Sequence, residues 1–136
     1  MKSFVRVVCT LFALLYQVIL IAQKPGDTNA IKALFVKALE MRDVNVDSSF
    51  FLARKGLVLS QKANYQGGIG MAYMRFGDLF DLKDKHDSAL FFLRKARHIR
   101  AELKDFAAEA RTCQRISNVF RAKGNKDSAF FICSGL

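Results

Sequence analysis

Three segments of the chain open with nearly the same residues at intervals of 40: Asp47-Ser48-Ser49-Phe50-Phe51, Asp87-Ser88-Ala89-Leu90-Phe91 and Asp127-Ser128-Ala129-Phe130-Phe131. Overlaying residues 47–86 on 87–126 without a gap leaves eight identities, at Asp47, Ser48, Phe51, Arg54, Lys55, Arg75, Phe80 and Lys83. Further pairs keep apolar over apolar, among them Phe50 over Leu90, Leu52 over Phe92, Leu59 over Ile99, Phe76 over Ile116 and Leu79 over Val119. A fixed period of this size marks a stacked repeat, in which one supersecondary unit cannot bury its apolar face until a neighbour covers it.

The units read as helices. From Ala30 to Met41, the residues Ile31, Leu34, Phe35, Ala38, Leu39 and Met41 recur at steps of three and four, which predicts a lead-in helix. Asp47, Asp87 and Asp127 each fit an N-cap, with Phe50, Phe51, Ala53, Leu57 and Val58 as the packing face of the first capped helix. Two further helices are expected over residues 68–82, with Ala72, Tyr73, Phe76, Leu79 and Phe80 inside, and over residues 106–122, with Ala110, Cys113, Ile116, Val119 and Phe120 inside. No stretch alternates with period two. Residues 83–86 and 123–126 are short and polar, so consecutive helices should fold back on one another. The expected class is all-α: a right-handed solenoid of antiparallel helix hairpins, about two and a half repeats long.

The series Tyr73, Phe76-Gly77, Phe80, Ala89-Leu90, Leu93 and Ala96 resembles a tetratricopeptide repeat, whose motif asks for aromatic, Leu-Gly, Tyr, Ala, aromatic and Ala in that order. A weaker copy follows in Cys113, Ile116-Ser117, Phe120, Gly124, Ala129-Phe130 and Cys133, and Ser49, Ala53 and Gly56 mark half of the preceding one. The resemblance covers residues 47–136. It implies that Gly77 and Ser117 let paired helices approach, and that the inner helices line a concave groove for extended peptides. The period of 40 exceeds the usual repeat of about 34 and is similar to that of longer-repeat arrays, which often carry an opening like Gly67-Gly68-Ile69. Ala101 stands where the family has proline, and the chain has no tryptophan.

Ahead of the repeats, Lys2 and Arg6 precede an apolar run, Val7 to Ala22, broken only by Thr10 and Gln17. That is the layout of a secretory signal over residues 1–22 with a cut before Gln23, followed by a linker and lead-in helix over 23–46. A retained anchor is the alternative, although spanning a bilayer takes about 20 apolar residues. Export would place the protein in the periplasm or cell envelope, where a disulfide can persist. Cys113 and Cys133 both fall at apolar helical positions, which suits buried thiols, a bridge being the alternative. The sequence stops within its third capped segment. Phe130, Phe131 and Ile132 there would form an uncovered edge, which suits a fragment of a longer protein or an edge that another molecule, including a second copy, covers.

Lys and Arg number 22 against 12 Asp and Glu, and leave 20 against 12 without Lys2 and Arg6. Much of the excess lies in Arg94, Lys95, Arg97, His98, Arg100 and Lys104, read as a solvated face that offsets a helix dipole. With the aromatic residues assigned to the core, nucleic acid is not an expected partner. Asp78, Asp81 and Asp84 lack the spacing of a calcium loop, and His86 and His98 have no further zinc ligand in register. Gly67-Gly68-Ile69-Gly70 has neither a preceding strand nor a Gly-Lys-Ser/Thr ending, so it is no phosphate loop. No metal, cofactor or catalytic residue is expected, and the chain reads as a non-enzyme.

The candidate partner-binding residues are Met74, Asp78, Arg111, Gln114, Arg115, Asn118 and Arg121. Arg111 and Arg115 stand one turn apart, a spacing suited to gripping a carboxylate. Their competing use is to pair with Asp78 and Asp81 of the neighbouring helix. The expected function is a noncatalytic module that binds a protein or peptide. Two alternatives stay open: the input region of a membrane-bound histidine kinase or transcriptional regulator, as in the proteins this repeat array resembles, and electrostatic binding to an anionic surface or polymer. A membrane partner follows only if the N-terminal segment stays uncleaved.

Overall fold

A computed structural model describes residues 28–125, and within them the chain is all-helical, with no strand. Its five helices are α1 (Thr28–Met41), α2 (Val46–Lys62), α3 (Gln66–Leu82), α4 (His86–Glu102) and α5 (Phe106–Ala122). The last four are each 17 residues long and begin at 46, 66, 86 and 106, so helices recur at one fixed interval, and two such intervals make up the sequence repeat. No helix among the described residues is long and apolar enough to cross a membrane. The expected signal at 1–22 and the third repeat from Asp127 lie outside the described residues.

The turns explain the spacing. Asn64, Asp84, Lys104 and Gly124 all have a left-handed backbone, with φ of 50°, 56°, 54° and 81°. At each, the following amide donates to the carbonyl five residues back: Tyr65 to Ser60, Lys85 to Phe80, Asp105 to Arg100 and Asn125 to Phe120, at 2.8–3.0 Å. The left-handed residue donates to the carbonyl three back, which completes a Schellman closure. One such turn consumes three residues and leaves the next amides free to start a helix.

The expected Asp caps are corrected, because the true cap positions lie two residues earlier. Asn45 caps α2, its side chain accepting from the Ser48 amide at 2.9 Å, and Asp105 caps α5 through the Ala108 amide at 3.1 Å. Asp47 and Asp87 lie inside the first turns of α2 and α4, where negative charge is favoured. Each also reaches a lysine at the end of the next helix: Asp47 pairs with Lys83 at 3.0 Å, and Asp87 pairs with Lys123. The repeated acid and the repeated lysine are thus two ends of one contact.

Small residues hold the closest helix contacts. In α2 the buried set is Ser49, Ala53, Gly56 and Ser60, whereas Phe51 is 66% exposed and Val58 42%. This corrects the expected packing face: bulk keeps the larger residues off the contact line. Ser49 Oγ donates to the Ala38 carbonyl at 2.5 Å and Ser60 Oγ to the Gly56 carbonyl at 2.7 Å, so neither hydroxyl is buried unpaired. A methyl group at Gly56 would stand 2.6 Å from the Phe35 ring, and one at Gly77 would stand 2.5 Å from Leu93 Cγ. In α5 Ala108 and Thr112 are buried and Ala110 is exposed.

Two apolar clusters follow, one around Ile31, Phe35 and Ala72, the other around Ala89, Leu90, Leu93, Ile116 and Val119. Each helix packs on the next. In addition α1 meets α3 and α3 meets α5, while α2 and α4 stay apart.

Gly77→Ala should lower stability in urea melts, because overpacking of about 1–3 kcal/mol outweighs the roughly 1 kcal/mol of helix propensity gained. Lys104→Gly should raise it by up to about 1 kcal/mol, since the left-handed conformation costs a residue with a Cβ about 1–2 kcal/mol and glycine returns part of that as unfolded-state entropy.

Candidate partner-binding surface

Arg111, Gln114, Asn118 and Arg121 are all exposed and follow one another at steps of three and four along α5. Helical spacing therefore sets them in one stripe. The stripe is internally bonded: Gln114 Nε2 donates to Asn118 Oδ1 at 3.1 Å, and Arg121 donates to the same oxygen. The sole acid on α5, Glu109, is engaged by Arg97 of α4 at 3.4 Å. The stripe itself carries two cations, two amides and no acid.

Arg115, one position off the stripe, turns toward α3 and meets Asp78 at 2.5 Å. Arg75, its counterpart in the preceding repeat, contacts the other carboxylate oxygen of Asp78 at 3.5 Å. Asp81 is taken by His86 at 2.9 Å rather than by an arginine. Of the competing pairings, the one between Arg115 and Asp78 forms, and the one involving Asp81 does not. Arg42, at the end of α1 and held by Asp43 at 2.9 Å, adds positive charge near Asp78. Arg42, Asp78, Asp81, Arg115 and Asn118 border a single cavity of about 200 Å³.

Burial dominates the electrostatics. It raises the Asp78 carboxyl above its usual range, an effect that Arg115, Arg75 and Arg42 offset only in part. Burial likewise lowers Arg75, helped by the like charge of Arg115 and opposed by Asp78. Arg75 Nε is buried without a hydrogen-bond partner among the described residues.

Met74 stands apart from the stripe. It is half-buried against the Ala89, Leu93 and Ile116 cluster, and its sulfur receives a contact from Thr112 Oγ1 at 3.9 Å. The structure thus gathers Asp78, Arg115 and Asn118 at one cavity, aligns Arg111, Gln114 and Arg121 beside it, and sends Met74 toward the core. Arg42 and Arg75 also belong to this surface, although sequence reasoning does not single them out for it. For Arg75 a signal exists, since it is one of the eight positions identical between the repeats. For Arg42 there is none.

The basic run on α4 divides. Arg94, Lys95 and His98 are exposed, but Arg100 is buried, donating to the Gly67 carbonyl at 3.0 Å and pairing with Asp105 at 3.3 Å. It ties the end of α4 to the start of α3 and to the cap of α5, and is no part of a solvated face. The aromatic residues also depart from expectation. Tyr73, Phe76, Phe80 and Phe92 are only half-buried and Phe51 and Phe91 are exposed, so the core is built chiefly from aliphatic and small side chains. Cys113 is buried, and Cys133 lies outside the described residues.

Compared with known proteins, the chain matches no family model, no curated protein and no solved structure.

The raised Asp78 carboxyl sets a pH dependence. A folded value above the unfolded one means that the stability Asp78 contributes is present in acid and is lost as pH rises through the folded value. Thermal melts of the wild type and Asp78→Asn should therefore show the wild type losing ground to the variant as pH climbs from the ordinary carboxylate value of 3.8 toward neutrality. A wild type that gains ground would mean that the arginines outweigh burial.

Proposed function

We propose that the chain is a noncatalytic binding module, a right-handed stack of antiparallel helix hairpins of tetratricopeptide type, that takes an acidic peptide segment of a partner protein along α1, α3 and α5. Several features support the architecture. Helices recur with fixed length and turn, the start of α2 pairs with the end of α3 through Asp47 and Lys83, and Asp87 and Lys123 repeat that pairing one unit later. Contact of α1 with α3 and of α3 with α5, without contact between α2 and α4, suits a stack curved toward the odd-numbered helices.

The observation that carries the function is the acid-free stripe of Arg111, Gln114, Asn118 and Arg121 beside the cavity at Arg115. The fork of a single guanidinium matches the paired oxygens of one carboxylate, and neighbouring amides can bond a peptide backbone. Arg115 is already engaged by Asp78, so the recognition falls to Arg111 and Arg121, with Arg115 and Asp78 holding α5 in place against α3. The apolar run at residues 7–22 supports export of this module to the periplasm or cell envelope.

Pull-down and peptide-array binding of the full chain provide the test. The double variant Arg111→Ala with Arg121→Ala should lose at least about tenfold in affinity for acidic peptides, a loss of the size expected for two charge-assisted contacts. Undiminished binding to every recovered partner would reject the groove. Binding that depends steeply on salt but is indifferent to peptide sequence would favour a purely electrostatic surface.

A further inference from the structure

The separation of α2 from α4 leaves a recess on the side of α3 that these two helices flank. Its walls come from three helices: Phe50, Phe51 and Arg54 of α2, Phe76 and Phe80 of α3, and Phe92 of α4, around a volume of about 430 Å³. The rings form a connected set. Phe80 stacks on Phe92 at 5.3 Å with planes 2° apart, Phe50 meets Phe80 edge-on at 5.2 Å, and Phe76 lies 5.4 Å from Phe92. Lys83 stands over the Phe50 ring at 5.1 Å, while also holding Asp47.

The chemistry recurs one unit along the chain. Asp87, Leu90, Phe91, Arg94, Phe120 and Lys123 border a second recess of about 680 Å³, and they are the repeat counterparts of Asp47, Phe50, Phe51, Arg54, Phe80 and Lys83 in that order. There Lys95 lies 4.4 Å from the Phe91 ring, and Lys95 and His98 also line the wall. Phe51 and Phe91, the repeated phenylalanines, are 66% and 54% exposed. They are not needed to fill the core. Four of the eight identities between the repeats, Phe51, Arg54, Phe80 and Lys83, border or overhang the first recess.

We propose that this outer face is a second docking surface, which takes an acidic peptide segment by inserting an aromatic or aliphatic side chain into the Phe50, Phe76, Phe80 and Phe92 recess while Arg54 holds a flanking carboxylate. Shape and charge select this occupant. A recess walled by rings on three helices accepts one large apolar side chain, the anchor-in-pocket arrangement of binding hot spots. A lipid surface would instead call for apolar groups that protrude together. The ionisable lining is Arg54 in the first recess, and Arg94, Lys95, His98 and Lys123 against Asp87 in the second, so complementarity demands acids on the partner. Rings with cations above them keep that charge next to apolar surface. This surface lies apart from the α5 stripe and does not rest on it.

The test uses the full chain and fluorescein-labelled short peptides in which a central Phe, Leu or Ala is flanked by Asp and Glu. Fluorescence anisotropy should give saturable binding of the Phe and Leu peptides and about tenfold weaker binding of the Ala peptide, the contribution of one anchor. Phe51→Ala and Arg54→Glu, both at exposed positions where circular dichroism should be unchanged, should each weaken the Phe peptide by about tenfold. Arg111→Ala with Arg121→Ala should leave the anchor preference between Phe and Ala peptides intact, which separates this surface from the groove. Equal affinity for all three peptides, or none for any, would overturn the proposal. So would phosphatidylglycerol vesicle binding or self-association that Phe51→Ala abolishes while the peptide affinity stays unchanged, since the recess would then serve a membrane or a second copy.

Discussion

A backbone amide that donates to the carbonyl five residues behind it is the contact on which the rest of this structure hangs. It closes α2, α3, α4 and α5 at Ser60, Phe80, Arg100 and Phe120, each time by passing one residue through the left-handed region. Because the closure always consumes three residues, helix starts recur at a constant interval, and side chains one repeat apart return to the same face of equivalent helices. Asp47 can then find Lys83 and Asp87 can find Lys123 by the same geometry. A longer or more variable connection would remove that register, and with it the repetition of every downstream contact.

Within that frame, side-chain size sorts the surfaces. Backbones come close where Ser49, Ala53, Gly56, Gly68 and Gly77 lie, and a Cβ at Gly56 or Gly77 would already collide with Phe35 or Leu93. Phe35 fits only because Gly56 faces it, and the other large rings collect beside those lines, where Phe50, Phe76, Phe80 and Phe92 pack on one another at the rim of the interface. Charge is sorted as well. Arg75 and Arg115, equivalent by repeat, converge on the one carboxylate of Asp78, while Arg100 replaces the buried Ser60 of the previous unit and spends its charge on Gly67, Asp105 and the ends of two helices. Repeat positions are therefore equal in place but not in chemistry, and the differences between units are where partner selectivity can reside.

Much of the architecture was legible because the signals were local or periodic. The regular recurrence of Asp-Ser announced repeated helices, and the bounds of α5 follow from its pattern. Gly77 was recognisable as a point of close approach from its place in the motif. The errors share a cause. Asp47 has the chemistry of a cap, but the cap is decided by where the preceding turn ends, and that turn ends at Asn45. Phe51 and Val58 have the hydrophobicity of core residues, but the distance between helices decides which residues fit inside. Arg100 has the composition of a surface residue, yet the Gly67 carbonyl and the Asp105 carboxylate, brought to it by neighbouring helices, make its burial tolerable.

The amino-acid order by itself determined that the described residues are helical, that the sequence repeats at a fixed interval, and roughly where the helices begin, because helix periodicity, turn preference and repeat identity act over a few residues or at that interval. Only tertiary structure decided which face is innermost, that Asp78 binds two arginines while Asp81 binds a histidine, and that Phe50, Phe51, Phe76, Phe80 and Phe92 border a recess while Phe35 fills the core. Those outcomes depend on backbone separation and on groups far apart in the chain, and neither quantity is written in the spacing of residues along one helix.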